Sequence, residues 1–270
     1  MKQKVMEIRN LEKSYKRRKA TKNPQSLLLR ERQSGASRNK ENKAVDGLDF
    51  DLYKGEILGL LGPNGAGKST TISILSTILK KDKGTVKIFD KNIETNLQSI
   101  KSRLGIVPQD IAIYEGISAR KNVEFFASLY GVRKRELKTR VMEALKFVEL
   151  EDKADDKPKT FSGGMKRRLN IACAIAHNPE ILILDEPTVG IDPQSRNHIL
   201  SSIKELRKQG TTIIYTTHYM EEVAEISDRI IIMDKGQKIA EGTLTELLDK
   251  YKNTTLEEVF LELTGKKLRD

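Results

Sequence analysis

Tryptophan is absent, aromatic residues make up only 5% of the chain, and one cysteine and three histidines occur among 270 residues. A single cysteine excludes an internal disulfide framework and fits a reducing compartment. Cys173 lies among Ile171, Ala172, Ala174 and Ile175, which marks it as a small core residue rather than a nucleophile. Long apolar runs are missing too. The longest, Ile57 to Leu61, Ile181 to Leu184 and Ile230 to Met233, have the length of strands and fall far short of a membrane span. Any membrane role is therefore expected to come through a partner. Met1-Lys2-Gln3-Lys4 leads into no apolar stretch, so no secretory signal and a cytoplasmic location are expected.

The net charge of +11 resembles that of a nucleic-acid binder, but its distribution argues otherwise. Residues 1–43 hold 14 Lys/Arg against 4 Asp/Glu, which leaves 35 basic and 34 acidic residues in the remainder. The excess is local, and no specific nucleic-acid partner is expected.

Taken in order, Val5 to Leu11 reads as a first strand with Lys13-Ser14-Tyr15 after it. Lys16 to about Lys43 is rich in Lys, Arg, Asn, Ser and Gln, with Leu27-Leu28-Leu29 as its one apolar cluster, and is expected to be a mobile loop. Ala44 to Leu52 suggests a second strand, and Ile57 to Leu61 a third. Short strands are expected at Gly84 to Phe89 and Leu104 to Gln109. The period then becomes helical over Asn122 to Tyr130 and Glu136 to Leu150, with Leu137, Val141, Leu145 and Val148 on one face. A helix over Met165 to Asn178 follows, then the apolar strand Ile181 to Leu184. Asp192-Pro193 opens another helix, with Asp as cap and Pro in the first turn. A strand over Thr211 to Tyr215, a helix over Met220 to Ile226 and a hairpin around Asp234 to Gln237 complete the body. Alternating helices and β-branched strands argue for a mostly parallel sheet with helices on both faces.

Gly62-Pro63-Asn64-Gly65-Ala66-Gly67-Lys68-Ser69 fits G-x-x-x-x-G-K-[ST] between a strand and a helix that begins near Thr70. Glycines let successive backbone N–H groups turn inward at a helix N-terminus, Lys68 adds a positive charge, and Ser69 offers a hydroxyl to Mg²⁺. In open α/β sheets ligands bind beyond the carboxyl ends of the strands. The Gly62 loop, Gln109, Asp185-Glu186 and His218 all lie at such ends. Asp185 is expected to support the hydrated metal and Glu186 to act as base on a water in line with the γ-phosphate. Gln109 is a candidate for the metal or the attacking water, and Tyr15 for stacking on adenine. His177 and His198 receive no role. Ser162-Gly163-Gly164 opens a helix as a second anion-binding N-terminus, and one nucleotide needs only one. That surplus suggests a dimer in which each subunit completes its partner's site.

The set Gly62 to Ser69, Gln109, Phe161 to Met165, Ile181 to Pro187, Gly190-Ile191-Asp192 and Thr217-His218 resembles, in order and spacing, the ATP-binding subunits of ABC transporters. The resemblance implies Walker A, Q-loop, signature, Walker B, D-loop and switch-histidine roles for these positions. It implies ATP and Mg²⁺ as cofactors, a head-to-tail pairing with a second ATPase subunit of the same or another kind, and separately encoded permease subunits at the inner face of the membrane. The implied fold is α/β: a P-loop NTPase core with a mostly parallel sheet, an N-terminal antiparallel β part, and a helical subdomain at about 110–170. Residues 1–242 would form the cassette and 243–270 a helical extension. The pattern L-S-G-G-Q departs at Phe161 and Met165, and Met165 cannot hydrogen-bond nucleotide as Gln would. Thr254 to Leu263 opens on a capping-box pattern, Thr255 to Glu258, and looks like the tail of exporter ATPases for drugs, antibiotics, lipids or sodium. Residues 16–43 are the clearest departure; a basic loop there could touch anionic lipid weakly. An ABC-type ATPase acting on ribosomes or DNA is the second reading, disfavoured because the chain has one cassette, no internal repeat and no heptad run. A GTPase or small-molecule kinase is not supported, since no N-K-x-D occurs.

Overall fold

In the computed structural model, residues 2–15 and 42–265 are described. Strands β1 (Lys4–Tyr15), β2 (Asn42–Tyr53), β4 (Lys83–Ile88) and β5 (Lys91–Asn92) form an antiparallel sheet in the order β2-β1-β4-β5. The first two strands run further than their apolar cores suggest. Their ladder extends from Lys4↔Tyr53 to Tyr15↔Asn42 through several register shifts. Asn42 and Lys43, expected in the loop, are therefore strand residues, and the remainder of that expectation, 16–41, lies outside the described residues. Met6, Ile8, Leu48, Phe50 and Leu52 are buried on the inner face.

The second sheet has the order β10-β9-β3-β8-β7-β6, built from β3 (Ile57–Leu61), β6 (Leu104–Val107), β7 (Ile181–Asp185), β8 (Thr212–Thr217), β9 (Arg229–Asp234) and β10 (Gln237–Gly242). Neighbours from β9 to β6 pair in parallel, and β10 closes the edge antiparallel to β9. Burial on both faces explains why β3 and β7 read as unbroken apolar runs. Along β3, Leu58 and Leu60 join the core beneath the antiparallel sheet, with Ile72 and Ile74 of α1 (Lys68–Leu75). On the opposite face Gly59 lets α7 (Met220–Ile226) approach, since a Cβ there would stand 2.8 Å from Val223 Cγ1.

A short helix, α2 (Leu97–Lys101), precedes β6. After β6 come α3 (Ala119–Leu129) and α4 (Lys134–Phe147), which pack with α5 (Gly163–Ile175) into the helical block. Val123, Val141 and Leu145 share one core with Leu182, Leu184 and Tyr215 of the parallel sheet, so the block is continuous with the body. Helix α6 (Pro193–Lys208) joins β7 to β8. At the C-terminal side, α8 (Leu244–Tyr251) and α9 (Leu256–Thr264) bury Leu247, Leu256, Val259 and Phe260 against Leu61, Val223, Ile230 and Ile232. Both helices begin with capping boxes, Thr243 with Glu246 and Thr255 with Glu258. No helix among the described residues is long and apolar enough to cross a membrane.

Candidate functional site

The phosphate loop turns on Gly67, which caps α1 at φ 100° and leaves no room for a side chain, because a Cβ would lie 2.3 Å from Ala44 O. The backbone of β2 thus packs directly behind the loop. Lys68 is 4% exposed, and its Nζ donates to Gly62 O at 2.7 Å and Pro63 O at 3.3 Å. Burial pulls its pKa below the ordinary lysine value, and the charge of Glu186, 3.3 Å away, opposes that shift. A cleft of about 330 Å³ opens above the loop, lined by Asn64 to Thr70 and, from the antiparallel sheet, by Tyr15, Asn42, Lys43 and Ala44. Gln109 and Glu186 form its far side. Tyr15, 44% exposed, offers a ring at the mouth.

Asp185 ends β7 at 8% exposure. It accepts from Thr216 Oγ1 at 2.6 Å and from Ser69 Oγ at 3.4 Å, yet burial still pushes its carboxyl above the ordinary range. Glu186 follows in the left-handed region at φ 47°, a conformation that costs free energy for a residue with a Cβ. Its backbone N–H donates to both the carbonyl (3.1 Å) and the hydroxyl (3.0 Å) of Thr216. This turn aims the Glu186 carboxylate at three elements. Oε1 faces Lys68, while Oε2 lies 3.5 Å from Gln109 Nε2 and 3.4 Å from His218 Nδ1. Four strand ends therefore meet at one carboxylate. Thr216 was not singled out from sequence. Its signal was the pairing of Asp185 with Thr216 across β7 and β8, which only the register supplies.

Ser69, Asp185 and Gln109 offer oxygen donors alone. A small hard cation takes one or two carboxylates and completes its shell with substrate phosphates and water, so this set fits Mg²⁺ held jointly with a nucleotide. The buried Asp185, short of countercharge, is consistent with that role. No group of three or more His, Cys, Asp and Glu among the described residues could hold a metal on its own.

Ser162 caps α5 by accepting from Met165 N at 3.2 Å, and Asp192 caps α6 by accepting from Ser195 N at 2.9 Å. The two helix starts abut, since a Cβ on Gly164 would stand 2.2 Å from Ser195 Oγ. Ser162, Gly163, Gly164 and Asp192 do not line the cleft over the phosphate loop. Met165 packs partly buried against the core of the helical block. His198 pairs with Glu149 at 2.9 Å, and His177 stacks on Tyr130 with centroids 3.9 Å apart; neither lies at the cleft.

A glycine-rich loop ahead of a helix, with a buried lysine and a strand-end Asp-Glu pair at the carboxyl edge of a parallel sheet, defines a P-loop nucleoside triphosphatase. Comparison with known proteins narrows the class. The profile of the family described as ABC transporter matches residues 45–189, and the chain belongs to that family. It is 51% identical over 212 residues to the linearmycin resistance ATP-binding protein LnrL of Bacillus subtilis (strain 168), covering 78% of this chain and 68% of that one. Over 220 residues it is 39% identical to the Nod factor export ATP-binding protein I of Paraburkholderia xenovorans (strain LB400), covering 82% of this chain and 72% of that protein. Among solved structures, a dimeric ATP-binding cassette in a post-hydrolysis state bound to ADP and Pi superposes with a TM-score of 0.73 at 26% identity, over 88% of this chain and 98% of that one. The chain is an ABC-type ATPase.

Proposed function

We propose that the chain hydrolyses ATP as the soluble half of an exporter, with Glu186 as general base and a separate membrane permease as the load. The observation that carries this reading is the convergence of Lys68, Gln109 and His218 on the Glu186 carboxylate beside the phosphate loop. Lys68 is held by two loop carbonyls and by Glu186. An incoming β,γ-phosphate supplies a stronger partner for the lysine and frees Glu186 to accept a proton from water. Gln109 and His218 then orient that water and the γ-phosphate, and Tyr15 stacks on the base. Mg²⁺, when bound, neutralises phosphate charge, and Ser69, Asp185 and Gln109 are the groups that would hold it.

Ser162, Gly163, Gly164 and Asp192 serve the site of a second subunit arranged head to tail, which accounts for their distance from the cleft of their own chain. The permease engages a cleft of about 1200 Å³ lined by both the core and the helical block, where Ile78 and Leu129 stand 73% and 65% exposed. Apolar side chains exposed together in a concave surface are what a helical partner covers. With the permease as its anchor, the chain would work at the inner face of the cell membrane. The names of the relatives, one a resistance protein and one an export protein, support the outward direction.

Replacing Glu186 by Gln keeps the shape and removes the base. Turnover is expected to fall by roughly 10²–10⁴, the usual worth of general-base assistance, while ATP still binds and holds a dimer. Gel filtration with and without ATP, alongside phosphate release, measures both effects; wild-type turnover in this variant removes Glu186 as the base.

A further inference from the structure

Glu222, in the first turn of α7, is completely buried at 0% exposure. A buried carboxylate is costly unless paired and hydrogen-bonded, and a packed apolar side chain at such a position is often the more stable choice. Here one oxygen of the carboxylate carries three hydrogen bonds and the other an ion pair. Oε2 accepts from Tyr215 OH at 2.7 Å, Thr188 Oγ1 at 2.9 Å and Thr217 Oγ1 at 2.9 Å. Oε1 faces Arg196 Nε across an ion pair of 3.1 Å, and neither of these two atoms makes a hydrogen bond. Burial, and then the Glu222 charge, hold the Tyr215 phenol far above its ordinary pKa, so it remains a donor.

The partners lead to separate parts of the site. Thr188 stands two residues after Glu186, on the turn that starts from the left-handed Glu186 backbone. Thr217 Oγ1 donates to Glu222 and accepts from Tyr219 N at 3.0 Å, so one hydroxyl fastens the chain on both sides of His218. Arg196 belongs to the start of α6, whose cap is Asp192 and which abuts Gly164. His218 and Glu186 approach each other only to 3.4 Å, a spacing set by where their two turns are held.

We infer that Glu222 is a positioning residue for ATP hydrolysis: its one buried carboxylate ties the Glu186 turn, the His218 turn and the start of α6 into a fixed mutual geometry. Glu222 itself does not line the nucleotide cleft. The inference rests on the roles given above to Glu186 and His218. Displacing a reacting group by about 1 Å can cost on the order of 10²-fold in rate, so loosening this anchor is felt in turnover rather than in nucleotide affinity.

The test uses the full-length chain and steady-state ATP hydrolysis. Glu222→Gln keeps one oxygen for the three hydroxyls and turns an amide toward Arg196, while Thr217→Val and Thr188→Val each remove a single tie. Each is expected to lower kcat by roughly 10–100-fold with KM for ATP within about twofold, because the lining of the cleft is untouched. In a His218→Ala background, Thr217→Val is expected to cause no further loss, since it acts through that histidine. An equal loss in both backgrounds, or loss of melting temperature with kcat per folded molecule intact, overturns the inference and leaves Glu222 a structural residue. If Glu222→Gln fails to fold, the two valine variants carry the test. Slow Glu186→Gln and His218→Ala beside wild-type kcat in the Glu222 and Thr217 variants overturns the positioning role alone. Wild-type turnover in Glu186→Gln and His218→Ala removes the site reading and this inference with it.

Discussion

Asp185 carries a burial cost that its hydrogen bonds do not recover. Burial favours the neutral carboxyl, so its pKa in the folded state lies above the ordinary 3.8 despite the hydrogen bonds from Thr216 and Ser69. With a raised folded pKa, the contribution to stability is fully present below the unfolded value and is lost as pH rises through the folded value. The penalty therefore grows as pH rises from the unfolded value through the folded one. Asp185→Asn keeps an oxygen for the two hydroxyls and has no charge to bury, so the nucleotide-free protein is expected to melt higher at pH 7.5. Each kcal/mol recovered raises the midpoint by roughly 2–4 °C in a chain of this size. The gain should shrink toward pH 4, and Mg²⁺-dependent hydrolysis should be lost. Calorimetry at several pH values checks this; an unchanged or lower midpoint at pH 7.5 refutes it. Asp185 and Glu186 were legible in the sequence because a polar pair interrupts the apolar run of β7. Thr216 and Glu222 were not, since a threonine in a strand and a glutamate in a Met-Glu-Glu-Val helix read as surface residues until the register sets Asp185 beside Thr216 and the fold closes over Glu222.

Among the elements, α9 shows how the C-terminal segment is tied to the catalytic body. Phe260 and Val259, 1% and 0% exposed, share a core with Leu61, the residue before the phosphate loop, and with Val223 on α7. Phe260→Ala is expected to cost about 3–5 kcal/mol, the usual penalty for emptying a buried aromatic site. Urea unfolding measures it, and a loss below about 1 kcal/mol would show α9 to be an appendage. Its capping box, Thr255 with Glu258, was visible in the sequence. The same signature at Thr243 and Glu246 went unread because Gly242 closes a hairpin and the apolar positions Leu244, Leu247, Leu248 and Tyr251 cover barely two turns. The ends of β1 and β2 were obscured for another reason. Beyond Leu11 and before Val45 the strands carry polar residues, and it is the pairing of Tyr15 with Asn42 that makes them strand. Parallel strands buried on both faces advertise themselves by composition, whereas exposed antiparallel ends are set by hydrogen bonds to a distant partner.

For the whole molecule the decisive relation is between the cleft over the phosphate loop and the start of α5. Lys68 lines the first, and Ser162 caps the second without reaching the cleft. If each phosphate loop is completed by the Ser162 device of another subunit, Lys68→Ala and Ser162→Arg are each inactive alone but disable different halves. In a mixed pair, one composite site combines both lesions and the other combines two intact halves. Random pairing then leaves about a quarter of the sites complete, and mixing the two inactive proteins should restore activity toward that fraction. A site contained within one chain gives a different result, because every chain in the mixture carries one lesion and no activity returns. Titrating one variant into the other at fixed total concentration separates the cases: composite sites give a maximum at equal amounts, and self-contained sites give a flat line at zero. Glu222 adds a further expectation. Because Arg196 and Asp192 lie on the helix start that abuts Gly164, loosening the buried carboxylate in the chain that supplies the intact Ser162 device should lower the restored activity, even though that chain's own phosphate loop is already disabled.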